Sequence, residues 1–198
     1  LTQNEDESAI IEVNKKDIIE RLNNQRNNLE AEEEIKLIEE ILDPYLIPPS
    51  TVEFESHGPL IGKPEILTEE GRIVNGLIRG RRYRYRYQVV FNRAAEVVRF
   101  GMSIKTTTGI SLAGSFSASG WEKAIQFVDK NTIINVEFLF YCYLNPGIYF
   151  MNAGVFGLSN GEECVLHRRA DVVAFRVLPI QDNIETETVY LEFEPSVK

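Results

Sequence analysis

Polar and apolar residues alternate most regularly in Arg82-Tyr83-Arg84-Tyr85-Arg86-Tyr87-Gln88-Val89-Val90-Phe91. A period of two, rich in aromatic and β-branched side chains, is the signature of a strand, in which successive side chains point to opposite faces. Tyr83, Tyr85, Tyr87, Val89 and Phe91 therefore share one face and supply half of a core. Arg82, Arg84, Arg86, Gln88 and Val90 share the other, where three guanidinium groups need water or an acidic partner. A solvated outer face is the plain reading of that row. A face that recognises an anion or a sugar is the sharper one.

Similar runs follow at regular intervals. Val97–Lys105 places Val98, Phe100, Met102 and Ile104 on one face, and Ile110–Phe116 comes after a Thr106–Gly109 turn. Thr132–Leu144 sets Val136, Phe138, Phe140 and Cys142 against Leu139, Tyr141 and Tyr143. Asn145-Pro146-Gly147 turns the chain back into Ile148–Phe156. If Tyr149, Met151, Ala153 and Val155 point inward there, Phe150, Asn152, Gly154 and Phe156 point outward. Ser159–Glu163 reads as an exposed loop, Arg168 and Arg169 precede a strand over Ala170–Leu178, and Val189–Phe193 stands alone beyond a linker. Thr51–Ser56 and Pro64–Leu67 are shorter strands ahead of the arginine row. Short strands punctuated by Gly and Pro predict an antiparallel β-sandwich from about residue 50 to 198. Within it, Ser115–Trp121 is a Ser/Gly/Ala-rich loop whose tryptophan either leans over a pocket rim or, more plainly, plugs the end of the sandwich.

Before residue 50 the period changes. Apolar residues between Ile10 and Leu46 recur at spacings of three, four and seven until Pro44, Pro48 and Pro49 stop the pattern. The spacing predicts helix, either one or two with a break near Asn23–Asn28, and residues 1–49 read as an acidic helical connector or dimerising arm. The chain begins at Leu1, so it reads as a piece of a longer protein.

Charge sharpens this division. The net charge is −9, which argues against a nucleic-acid partner, yet Arg72 to Arg99 holds eight arginines and one glutamate. Cys142 and Cys164 have no metal-ligand spacing and form no disulfide framework, and Cys142 sits in an apolar run as a buried free thiol. No apolar run approaches the roughly 20 residues a membrane-spanning helix needs.

Catalytic chemistry finds little material. With His57 and His167 alone, neither a histidine metal site nor a catalytic triad is expected. Cys164 and His167 lie three apart by coincidence. Glu122, Glu137, Glu162, Glu163 and Asp171 show no spacing that would pair two carboxylates for glycoside hydrolysis, and no phosphate loop is present. No cofactor and no metal are expected. Binding is better supplied, because aromatic faces cover the C–H surfaces of sugars and arginine forks onto carboxylates.

The run from Leu144 to Phe156, with Phe100-Gly101-Met102-Ser103-Ile104, Thr108-Gly109 and Val173-Ala174-Phe175-Arg176-Val177, resembles one carbohydrate-binding domain. That domain is the C-terminal one of the ATP-binding subunit of ABC exporters for O-antigen polysaccharides, the Wzt family. The likeness covers roughly residues 50–177. It implies an immunoglobulin-like β-sandwich that dimerises by exchanging its last strand, here about residues 187–194. It also implies a non-catalytic module that recognises the non-reducing end of a lipid-linked O-polysaccharide at the cytoplasmic face of the inner membrane, beside a nucleotide-binding domain and a membrane subunit. The Ser115–Ala124 loop departs from the family's pattern. The dense arginine row favours an acidic end residue.

Strand parity places the sugar on the outer face that carries Arg82, Arg84 and Arg86. Phe150 and Asn152 are expected to join it, with Tyr141 and Arg169 nearby and Arg84 at the centre. The alternative is a protein-interaction sandwich that docks an acidic partner, or its own acidic arm, through the arginine face.

Overall fold

The alternation around the arginine row becomes strand pairing in the computed structural model, which describes residues 39–159, 161–180, 184, 186–191 and 196. Twelve strands form among them: β1 (Val52–Glu53), β2 (Pro59–Ile61), β3 (Glu65–Leu67), β4 (Ile73–Val74), β5 (Gly76–Leu77), β6 (Arg82–Phe91), β7 (Ala95–Thr106), β8 (Ser111–Phe116), β9 (Ile125–Val128), β10 (Ile133–Tyr141), β11 (Gly147–Ser159) and β12 (Glu162–Val177). One sheet runs β1-β12-β11-β7, with β8 and β9 sharing the far side of β7 and β5 joining β12. The other runs β10-β6-β3-β4, with β2 also on β6. Every pairing is antiparallel except β5 with β12.

The two sheets face each other across one apolar core, in an immunoglobulin-like antiparallel sandwich. Tyr83, Tyr85, Tyr87, Val89 and Phe91 are each at most 1% exposed, as the alternation predicts. Val98, Phe100, Met151, Val155, Phe175 and Val177 meet them from the first sheet. Burying each such side chain contributes about 1.5–3 kcal/mol of transfer free energy. The tyrosine hydroxyls need partners inside. Tyr83 Oη accepts the Ile78 N–H at 2.8 Å, and Tyr87 Oη donates to Gly101 O at 2.9 Å. Burial pushes both phenols up from their ordinary range. Cys142 is a buried free thiol, as expected, and burial pushes its pKa up to about 11.

The structure corrects three expectations. The helical stretch Ile10–Leu46 lies outside the described residues up to 38, and from there to residue 46 the chain is not helical. Instead Ile41 bridges Gly76, and the Asn75 side chain accepts from the Asp43 N–H and donates to the Asp43 carbonyl, both at 2.7 Å. A Cβ at position 76 would lie 2.4 Å from Ile41 Cγ1, so only glycine admits this pairing. A tertiary strand pairing has overridden a local helical period.

β12 begins at Glu162, not Ala170, which puts Arg168 and Arg169 inside the strand on opposite faces. The terminal segment does not stand alone either. Val189 bridges Leu144, Asn145 N donates to Thr188 O at 2.9 Å, and Tyr190 N donates to Tyr143 O at 3.1 Å. Phe193 lies outside the described residues. Among the described residues no helix is long and apolar enough to cross a membrane.

Candidate carbohydrate site

The expected site does not assemble as one surface. β6 and β11 belong to different sheets, so Phe150 and Asn152 cannot join the arginine row. Tyr141 does, directly opposite Arg82, whose guanidinium lies 5.9 Å from its ring centroid. Arg169 turns inward from β12. Its Nη1 donates to Gly62 O at 2.6 Å and its Nε lies 3.5 Å from Glu53, so it ties the two sheets together.

The arginines of the row are already matched on their own face. Arg82 pairs with Glu69 at 3.5 Å, Arg86 with Glu65 at 3.3 Å, and Arg84 with Glu137 at 3.9 Å while also donating to the Glu69 carbonyl. Three carboxylates therefore answer three guanidiniums, and the face has no local excess of positive charge to draw an anion. A cavity of about 640 Å³ beside Arg82 is lined by Glu40, Glu69 and Glu70 as well as by Arg72 and Arg81. Burial would raise the pKa of Glu40, but the hydrogen bond and charge of Arg81 and the hydrogen bond from Tyr83 outweigh it and hold the carboxyl below its usual range.

A different concavity, of about 440 Å³, opens on the outer face of the first sheet. Strand parity creates it. Alternate residues of β7 point outward as Gly101, Ser103 and Lys105, and those of β11 as Phe150, Asn152, Gly154 and Phe156. Ser103 lies opposite Asn152, and Gly101 opposite Gly154, so two adjacent rows carry small residues. The edge strand β8 repeats the theme, with Gly114 beside Ser103 and Phe116 beside Gly101. A trough results where larger side chains would fill the surface.

Its ends are closed by larger groups. At one end Lys105 on β7 and Asp171 on β12 form an ion pair at 2.6 Å that bridges over the intervening β11. Phe150 lies in this row, between Lys105 and Ala174, and is only 5% exposed. At the other end Phe156 folds over the glycines; a Cβ on Gly154 or Gly101 would meet its Cε2 at 2.8 or 2.9 Å. Phe116 meets Phe156 edge-on with centroids 5.0 Å apart. Arg99 packs over Phe116 and Trp121 at 4.9 and 5.4 Å and pairs with Glu163. Trp121 is 36% exposed, so it stands at the groove's end and is no plug.

The polar groups are few and oriented. Asn152 Nδ2 donates to Ser103 Oγ at 2.8 Å, and Asn152 Oδ1 accepts from the Asp171 N–H at 2.7 Å. Arg168 stands at the side of the trough with its guanidinium 5.6 Å from the Phe54 ring. Among the described residues it forms no ion pair. An aromatic wall, a flat small-residue floor, fixed hydroxyl and amide groups and a guanidinium with no acidic partner among the described residues suit a sugar ring.

Of the seven residues expected to form the site, Asn152 alone lines this trough. Gly101, Ser103, Gly114, Gly154, Phe116, Phe156 and Arg168 complete it. The signal for its floor was small residues at outward positions of β7, β8 and β11, which become a groove once those strands are neighbours. Among the described residues no cluster of three His, Cys, Asp or Glu side chains could hold a metal ion.

Comparison with known proteins bears on this arrangement. The chain is similar to a solved structure described as the crystal structure of the C-terminal domain of wzt, at a TM-score of 0.66 and 22% identity. The alignment covers 80% of this chain and 98% of that one, and shows a shared fold. A second solved structure, the X-ray structure of Northeast Structural Genomics Consortium target SoR45, aligns at a TM-score of 0.34 and 13% identity over 73% of this chain and 100% of that one. That level of similarity carries no argument. No curated protein matches the chain. The model of the Wzt C-terminal domain matches residues 50–191, the span of the sandwich and the first residues of its terminal segment. The chain belongs to the Wzt C-terminal domain family, whose members are carbohydrate-binding domains of O-antigen exporters.

Proposed function

We propose that the trough on the first sheet binds the non-reducing terminus of a lipid-linked O-polysaccharide before an ABC transporter exports it. The observation that carries this reading is the floor of Gly101 and Gly154, roofed at one end by Phe156 and flanked by Arg168. A pyranose ring laid there puts C–H groups against Phe156 and Phe116 and hydroxyls against Ser103 and Asn152. An acidic group on the end residue reaches Arg168, so the cation that selects it is Arg168 rather than Arg84. The domain binds and does not catalyse; ATP hydrolysis belongs to a nucleotide-binding domain, which it accompanies with a membrane subunit at the cytoplasmic face of the inner membrane.

Two copies dimerise by strand exchange in this reading. The contacts of Thr188–Tyr190 with Tyr143–Asn145, made between chains instead of within one, join them without any new kind of contact. A docked acidic protein has less support, because it would have to displace Glu65, Glu69 and Glu137 from the arginines.

The test is titration of the chain with O-polysaccharide released by mild acid from the source organism's lipopolysaccharide. Phe156→Ala and Arg168→Ala should each weaken binding about tenfold, the worth of one charge-assisted hydrogen bond or one stacked ring. Parent-like binding by both variants overturns the trough as the site. Light scattering at micromolar concentration tests the dimer, and a monomer mass counts against it.

A further inference from the structure

Asp171 is buried, 5% exposed, and adopts φ 49°, a left-handed conformation uncommon for any residue but glycine. It sits at an irregularity where the register steps from Met151↔Val173 to Ala153↔Arg169. One residue of β11, Asn152, thus faces three of β12, and the extra length lifts Asp171 out of the ladder. Freed from the ladder, all four of its hydrogen-bonding groups serve other segments. The N–H donates to Asn152 Oδ1 at 2.7 Å. The carbonyl accepts from Thr51 Oγ1, and Oδ2 accepts from Ser50 Oγ, each at 2.6 Å. Oδ1 takes Lys105 at 2.6 Å.

Asn152 and Lys105 belong to the trough and its closed end, whereas Ser50 and Thr51 belong to the segment that leads into the sandwich. That segment is held at its start as well, where Glu40 takes Arg81 at 2.8 Å and Arg72 at 3.3 Å. Residues 40–51 therefore form a strap, clamped at Glu40 by Arg72 and Arg81 and at Ser50 and Thr51 by Asp171, at the closed end of the trough.

We propose that Asp171 is the positioning residue of the trough and couples it to this strap. The inference rests on the trough being the saccharide site. A sugar hydroxyl that fixes Ser103 and Asn152 fixes the Asp171 backbone, and the carboxylate and carbonyl of Asp171 then hold Ser50 and Thr51. Coupling of this kind is reciprocal, so a strap that is held also favours the occupied trough.

Amide hydrogen exchange of the whole chain, with and without the same O-polysaccharide, tests it. Saccharide should slow exchange across residues 40–54 by about fivefold or more, the lower end of ordinary allosteric coupling. Asp171→Gly tolerates the left-handed backbone and keeps the N–H bond to Asn152 while deleting the carboxylate. It should still bind but lose most of the slowing, and Asp171→Asn, which keeps an acceptor for Ser50, should restore part of it. Should Asp171→Gly fail to fold, the double variant Ser50→Ala with Thr51→Val removes the same tie from the strap side and leaves the trough untouched. Saccharide binding by the parent with no slowing at 40–54 overturns the inference, and so does undiminished slowing in the folded variants. In both cases the trough as binding site survives. If Phe156→Ala and Arg168→Ala both bind as the parent does, the trough itself fails and the coupling with it.

Discussion

The hydroxyl of Tyr87 donates to the carbonyl of Gly101 at 2.9 Å, across the whole thickness of the sandwich. Gly154 O lies within 3.2 Å of the same hydroxyl. These two glycines face each other on β7 and β11 and form the floor of the trough. The strand whose alternation is plainest in the sequence therefore carries its arginines on one surface and supports the trough on the other. Tyr87→Phe removes the one O–H donor that these two carbonyls share. It should cost about 1–3 kcal/mol, read as a lower midpoint in urea with an unchanged slope. Tyr141→Phe, on a half-exposed ring, should change the midpoint by less than about 0.5 kcal/mol.

Gly154→Ala tests the floor itself. The new Cβ meets the Phe156 ring at 2.8 Å, and the ring has to rotate away from the glycines. Overpacking of this kind costs about 1–3 kcal/mol of stability. O-polysaccharide binding should fall about tenfold or more with it. Gly120→Ala is the control, because its Cβ would meet nothing nearer than Glu122 Oε2 at 3.8 Å.

The arginine row should be quiet. Arg84 is half-buried and Arg86 exposed, and ion pairs this open to solvent contribute about 0–1 kcal/mol. Arg84→Ala and Arg86→Ala should leave saccharide affinity where it was, while Arg168→Ala lowers it. A tenfold loss on Arg84→Ala alone, measured by calorimetric titration, would return the site to the second sheet.

His167 sets a pH dependence of stability. The ring is buried, accepts the Ile61 N–H on Nδ1 at 3.0 Å, and turns Nε2 toward Glu53 at 3.4 Å. Desolvation by burial lowers its pKa below the ordinary 6.5, with Arg169 pushing the same way and Glu53 opposing. The unfolded chain thus takes up the proton first as pH falls, so unfolding free energy declines below about pH 6.5 and levels off once the folded ring protonates. Protonation would also set a second N–H against that of Ile61 and break a tie between the sheets. Urea midpoints between pH 7.5 and 5 should show this slope in the parent. It should be flattened in His167→Asn, whose amide oxygen accepts the same N–H without titrating.

Alternation alone determined which side of each long strand faces the core. Tyr83 to Phe91, Val98 to Ile104, Val136 to Cys142 and Tyr149 to Val155 all point inward as their period requires. That information is local, because a pleated backbone sends neighbouring side chains to opposite faces whatever surrounds it. The chemistry on the outward faces depended on which strands became neighbours, and that is not local. Phe150 and Asn152 are correctly outward, but β11 lies between β7 and β12 and not beside β6, so they never meet the arginines. The arginines found Glu65, Glu69 and Glu137 through pairings with β3 and β10. Gly101, Gly114 and Gly154 became a trough only when three strands brought their small residues together. The period at Ile41 gave way to a backbone pairing with Gly76, where the absent side chain allowed a close approach. Periodicity sorts residues into faces, and strand order, set by tertiary packing, decides what each face can bind.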